Sequence, residues 1–298
     1  MTKSNPFKHK RPPTIWVDES TFCDEQLSTH PASTPNPTMT TASILSNVVK
    51  LKHERPESGI RQLSQDPWHT FEAIGEIFQD RPLLLARHKS ERERLVHIEK
   101  LEQGSFSAPA LLELMNKISH SSFLALQECY LHAGMAFLIW EPVEVSVGQI
   151  LASKCMIAAS EVIEIVRSVL EGIQYLSDCG RVLATLSVET VFLTYSGKVK
   201  IVGVEKSCQI KASEMNPATL KLYALADIVV KLMGKNRSAY EWGDEILELP
   251  RQLESLSLEE LLQHKTLNQA PCPGELKLLV NLTNKTAYHR VDAYSFRL

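Results

Sequence analysis

Residues 172–205, GIQYLSDCGRVLATLSVETVFLTYSGKVKIVGVE, constrain the fold more than any other part of the chain. An apolar-periodic helix ends in IQYLSDCG, a short loop follows, and VETVFLTYSGKVKIV then has the pattern of a β-hairpin with its turn at Ser196-Gly197. Upstream, Val162, Ile165, Val166, Val169, Leu170 and Ile173 form one stripe over 161–176, with Ser160 as N-cap and Gly180 closing the unit. Downstream the patterns are helical: 220–233 is apolar enough to sit in the middle of a domain, and 258–263 and 275–282 follow. Two strands set between helices, then an all-helical remainder, describe this half.

The half before it reads differently. Segments 71–77 and 82–87 are short strands, and 94–101 is a third in which Val96, Ile98 and Lys100 share one face. Residues 109–118 form a helix, with Leu111, Leu112, Met115 and Ile118 on one side and Pro109 in the first turn. Segments 123–130 and 135–140 return to strand, and Glu141-Pro142 breaks the pattern. Residues 1–60 are rich in Pro, Ser and Thr with little periodicity, too little apolar surface to offset chain entropy, and predict a disordered tail. Within it Lys8-His9-Lys10-Arg11 fits either a nuclear import signal or a solvated tail.

Composition excludes several classes. With 298 residues, 44% of them hydrophobic, the chain can bury one large core or two small ones. A net charge of −3 gives no electrostatic case for nucleic acid or an anionic membrane. No apolar run approaches the ~20 residues that span a bilayer, and the basic N-terminus lacks the apolar stretch of a secretory signal. The six cysteines (23, 129, 155, 179, 208 and 272) form no CxxC pair and sit mostly in apolar segments, which predicts free buried thiols in a reducing compartment. The expected location is intracellular, cytoplasmic or nuclear, so the N-x-S/T matches at Asn236, Asn281 and Asn284 should stay unglycosylated.

The order strand, strand, strand, helix, strand, strand, then helix, LATLSVETVFL and VKIVGVE resembles the serine/threonine protein kinases, whose HRDLKPENILL and VKIxDFG motifs stand in the same order and at the same spacing. LLELMNKISHSSFLAL resembles the kinase C-helix and its HPNIV turn, and SLEELLQHKTL the closing ELLxHPFL; the resemblance covers roughly residues 68–270. Degenerate kinase-like proteins of this style occur in filamentous fungi.

Residue by residue, the resemblance implies a frame without its chemistry. Gly75 alone stands in the hairpin where kinases carry the Gly-rich phosphate loop, and a lone strand glycine is usually structural. Glu99 falls in the slot of the ATP-binding lysine, where it would repel triphosphate, and Leu111 in the slot of its glutamate partner. Leu183 replaces the loop histidine, Thr185 the proton-accepting aspartate, Ser187 the loop lysine and Thr190 the metal-binding asparagine. Gly203 stands for the DFG aspartate, Val204 for its phenylalanine and Glu205 for its glycine. A threonine hydroxyl is neither a base near neutral pH nor a good Mg²⁺ ligand. Glu205 is the one nearby carboxylate, a remote metal candidate set against a solvated loop glutamate. Trp140, just before the hinge, either fills the adenine pocket from behind or is an ordinary core tryptophan. His120 reads as a turn histidine. Lys221, the helix-aspartate position, follows Gly203 too closely for a full activation segment, and no APE occurs. Met115, Leu183 and Val204, which stack between lobes in the family, remain apolar.

The expectation is therefore an α+β, bilobal protein-kinase-like fold. A five-stranded antiparallel sheet with one helix would occupy 68–141, and a mainly helical lobe with a shortened activation segment 142–298. The implied function is a catalytically inactive pseudokinase without cofactor, acting as a scaffold or allosteric module for a protein partner, an active kinase being one option. Two alternatives stay open. One is a weak kinase that takes ATP and Mg²⁺ with Glu205 and a displaced lysine, Lys100 or Lys200. The other is an unrelated α+β interaction module.

Overall fold

Period-2 alternation in the first half builds one sheet. The computed structural model describes residues 59–78, 82–102, 107–236, 240–268 and 275–288. The Pro/Ser/Thr-rich tail to residue 58, the basic cluster at Lys8, Cys23 and Cys272 lie outside the described residues. Strands β1 (Arg61–Leu63), β2 (Phe71–Phe78), β3 (Pro82–His88) and β4 (Leu95–Glu102) precede helix α1 (Ala108–Lys117), and β5 (Leu126–His132) and β6 (Met135–Trp140) follow it. Their order across the sheet is β1-β5-β6-β4-β3-β2.

The sheet thus has six strands and is mixed, where the sequence predicts five and antiparallel. The five expected strands are antiparallel, and β1 adds to the β5 edge in parallel, with Arg61 opposite Glu128 and Leu63 opposite Tyr130. Arg-Gln-Leu has no alternation to announce a strand; polar contacts hold it. The Arg61 guanidinium lies 2.6 Å from the buried Glu128 carboxylate, which also receives the Tyr130 hydroxyl at 2.9 Å and faces Arg94 at 3.4 Å. The Ile60 N–H donates to Asn116 Oδ1 at 2.9 Å.

Alternation gives the sheet two apolar faces. Val96, Ile98, Phe71, Ala86, Tyr130, Phe137 and Ile139 form a small core that Leu63 and Trp68 cover. The opposite face meets α1, whose Leu112 and Met115 belong to the main core together with Leu138 and Trp140. That core continues without a break into the helical half. The loop after α1 runs beside the later hairpin: Ile201 N–H donates to Ser122 O at 2.7 Å and Leu124 N–H to Ile201 O at 3.1 Å.

The second half contains β7 (Val145–Ser146), α2 (Val147–Ala152), α3 (Ala159–Asp178), β8 (Arg181–Val182), β9 (Val191–Leu193), β10 (Val199–Ile201) and β11 (Cys208–Gln209). It ends in α4 (Leu222–Lys235), α5 (Asp244–Leu247), α6 (Leu249–Ser255), α7 (Leu258–Gln263) and α8 (Glu275–Tyr288). The predicted hairpin is β9–β10, pairing Val199 with Leu193 and Ile201 with Val191. Its turn glycine, Gly197, has φ +81°, and a Cβ there would lie 2.5 Å from the Lys277 nitrogen on α8.

Three local expectations change. Helix α3 begins at Ala159, so Ser160 is inside it, and the Glu161 carboxylate takes the Ala158 N–H at 2.7 Å in place of a serine cap. Helix α4 buries Leu222, Leu225, Ala226, Ile228, Val229 and Leu232, but Tyr223 and Val230 on its other side are about half exposed, at 49% and 55%. Helix α3, with ten buried residues, is the central one instead. The four described cysteines are free, but only Cys129 is buried, and Cys179 and Cys208 are exposed. Asn236 is buried, its amide bonding both the N–H (2.9 Å) and the carbonyl (2.7 Å) of Ile157, which leaves no room for a glycan.

Candidate functional site

The cleft between the sheet and the helical half collects the positions singled out in the sequence. Strand β4 sends Val96 and Ile98 into the small core, so His97 and Glu99 face the other way, opposite Trp140 and Leu138 of β6. A cavity of about 90 Å³ opens there, lined by His97, Trp140, Thr185, Thr190, Gly203 and Glu205 among others. Thr185 is exposed at its edge. Gly75 is not part of it: it pairs with Leu85 at a bulge in β2, and a Cβ there would touch nothing.

Several polar groups in the cleft are engaged with the protein itself. Glu99 is 6% exposed, and its carboxylate accepts the Trp140 indole N–H at 3.0 Å. Trp140 is 1% exposed and lines the cavity. In the loop before β9, Thr190 Oγ1 accepts the Ser187 N–H at 2.8 Å and donates to the Ser187 carbonyl at 3.1 Å. The Ser187 hydroxyl accepts the Glu189 N–H at 3.2 Å. These are self-contained side-chain-to-backbone turns.

Gly203 has φ +85° and opens the 3₁₀ turn Val204–Lys206. That left-handed residue drives Val204 inward, where it is buried in the main core with Met115 and Leu183. Glu205, half-buried on the same turn, borders the cleft and a second cavity. This second cavity is much larger, about 520 Å³, and lies between α1, the β4–β6 face and the turn. Leu111 lines it, beside Glu99 and Leu138.

The two lysines considered as substitutes diverge. Lys100 is exposed and lies on the β4 face opposite to Glu99. Lys200 is buried on β10, and its Nζ forms an ion pair of 2.6 Å with Glu141 Oε1 and donates to the Phe123 carbonyl at 3.3 Å. His120 is a turn residue: its Nδ1 accepts the Ser122 N–H at 3.2 Å, its ring stacks on Tyr175 at 4.9 Å, and burial lowers its pKa.

His97 shares the cleft face of β4 with Glu99, as alternation predicts, but sequence reasoning gave it no role. It is 3% exposed, its Nδ1 has no hydrogen-bond partner among the described residues, and burial pushes its pKa down to about 4. The ring is neutral at neutral pH.

Among the described residues no three His, Cys, Asp or Glu side chains are grouped so as to hold a metal ion, and no helix is long and apolar enough to cross a membrane. No family model and no curated protein matches the chain.

Proposed function

We propose that this chain is a protein-kinase-like pseudokinase, a fold kept for its surface while phosphoryl transfer has been lost, and that it works as a scaffold or allosteric module for a protein partner, an active kinase being one such partner. The size of the cleft carries the reading. The cleft beside Trp140 measures about 90 Å³, less than a cavity of roughly 150 Å³ that binds benzene, which favours a cleft without a purine.

The chemistry around the cleft supports the same reading. Transfer of a phosphoryl group needs a base, metal ligands and cations placed on the phosphates. Thr190 and Ser187 are occupied with their own loop, Gly203 has no side chain to offer, and Glu99 brings negative charge where the resemblance expects a lysine. Lys200 is committed to Glu141. The order of β2 to β6 with α1 among them, followed by α3 and the β9–β10 hairpin, agrees with the kinase resemblance.

Scanning fluorimetry with ATP, ADP and GTP, each with and without Mg²⁺, tests the proposal. A nucleotide at 100 times its Kd would add about 2.7 kcal/mol, a shift of roughly 5–10 °C for a domain of this size. The expected shift is nil. A metal-dependent shift, or incorporation of labelled phosphate that disappears in Glu205→Ala, overturns the reading in favour of a weak kinase.

A further inference from the structure

A thiol, two hydroxyls and an ammonium meet where α2, α4 and α8 come together. Cys155 follows α2, and its sulfur lies 2.8 Å from Ser153 Oγ and 3.5 Å from Thr283 Oγ1 on α8. Lys235, in the last turn of α4, donates through Nζ to the carbonyls of Ser153 at 2.7 Å and Leu151 at 3.4 Å. The ammonium is thereby held at the same residue that the Cys155 sulfur touches. Cys155 is half-buried and Thr283 buried.

Hydrogen bonding gives each group a part. The Ser153 hydroxyl is committed to the Ile150 carbonyl at 2.6 Å, so its oxygen is left to accept the Cys155 S–H. Thr283 Oγ1 can donate to the sulfur once that proton has gone. Burial lowers the pKa of Lys235 and the charge of the Cys155 sulfur raises it, so the two groups stand within electrostatic reach. The thiolate is the nucleophilic form of a cysteine, and a lysine ammonium beside a partly exposed sulfur favours it. Cys179 and Cys208 are more exposed, so access alone would make them react first.

We propose that Cys155 is a modification site, a thiol that hydroperoxides oxidise to sulfenic acid, with Lys235 as its positioning residue. The sulfur attacks one peroxide oxygen, and the S–O bond forms as the O–O bond breaks. Sulfur loses two electrons to the peroxide, and the thiol proton ends on the departing oxygen as water or an alcohol. Lys235 stays charged throughout and holds the anionic sulfur. The new oxygen enters between the end of α2 and α8, where Cys155 packs on the main core, so oxidation bears on how α8 is seated. The site does not depend on the pseudokinase reading.

Hydrogen peroxide is the probe, added to the full-length chain with dimedone present to trap sulfenic acid, and peptide mass spectrometry reads each cysteine. Cys155 should acquire label at least about fivefold faster than Cys179 or Cys208. Lys235→Met should slow that labelling about tenfold, and Lys235→Arg should keep most of the rate. Thr283→Val, equal in shape, should slow it about threefold, and it decides the point should Lys235→Met lose its circular dichroism signal. The inference falls if Cys179 or Cys208 is labelled as fast as Cys155, if folded Lys235→Met keeps the wild-type rate, or if Lys235→Arg is as slow as Lys235→Met. With Lys235→Met unfolded, a wild-type rate in Thr283→Val overturns it.

Discussion

Lys200 Nζ and Glu141 Oε1 stand 2.6 Å apart, and this one pair joins three segments distant in sequence. Glu141 follows β6 and also takes the Ala125 N–H at 2.8 Å; Lys200 sits on β10 and reaches the Phe123 carbonyl. The sheet, the loop after α1 and the hairpin are therefore pinned at a single charged point. Removing one partner of a buried pair leaves an uncompensated charge, at about 3–5 kcal/mol. Glu141 is somewhat exposed, so Lys200→Met and Glu141→Gln should each cost near the lower end of that range, about 3 kcal/mol. The double variant should cost less than the sum. Urea unfolding of the four species measures the coupling, and strict additivity would show that the pair contributes nothing.

Trp140 has two roles, volume and hydrogen bond, and substitution can separate them. Trp140→Phe keeps most of the volume and withdraws the indole donor from Glu99, for about 1–3 kcal/mol. Trp140→Ala also leaves a cavity and should cost about 3–5 kcal/mol. Even with the cleft opened in this way, Trp140→Ala should show no ATP-dependent shift, because no phosphate or metal ligand is restored; a shift would mean that volume alone closes the cleft. Fluorimetry with ATP and Mg²⁺ on this variant decides the point.

His97 makes stability depend on pH. Its pKa is about 4 in the folded protein against an ordinary 6.5, so the unfolded chain binds the proton first. The contribution is complete above pH 6.5 and is lost as pH falls from there to about 4, amounting to about 3 kcal/mol across the window. His97→Phe should flatten the unfolding free energy between pH 6.5 and 4.5. An unchanged slope would mean that the ring titrates normally.

Two glycines with similar backbones should respond unequally. Gly203, at φ +85°, has open space around a built Cβ, so Gly203→Ala meets backbone strain alone, about 1 kcal/mol, part of which Gly203→Asn should recover. Gly197, at φ +81°, adds a 2.5 Å approach to the Lys277 backbone, which cannot rotate away. Gly197→Ala should cost at least 2 kcal/mol, roughly strain plus overpacking. Thermal melts of the pair give the ranking directly.

What the sequence determined by itself was whatever is local in period. Alternation at Val96–Glu99 sorted residues to the two faces of β4, the 3.6-residue stripe marked α3, and Ser196-Gly197 marked the hairpin turn. Each of these rests on neighbours within a few positions, so their geometry is written in spacing. Tertiary structure alone decided the rest. Strand β1 exists because Glu128, 67 positions away, accepts Arg61; the half-exposed face of α4 follows from what packs on it, not from its apolar content. The commitment of Lys200 to Glu141 and the pocket walled by Leu111 and Leu138 depend on how strands and helix close on one another. Spacing along a chain carries the direction a side chain takes, but not the identity of the group it meets there.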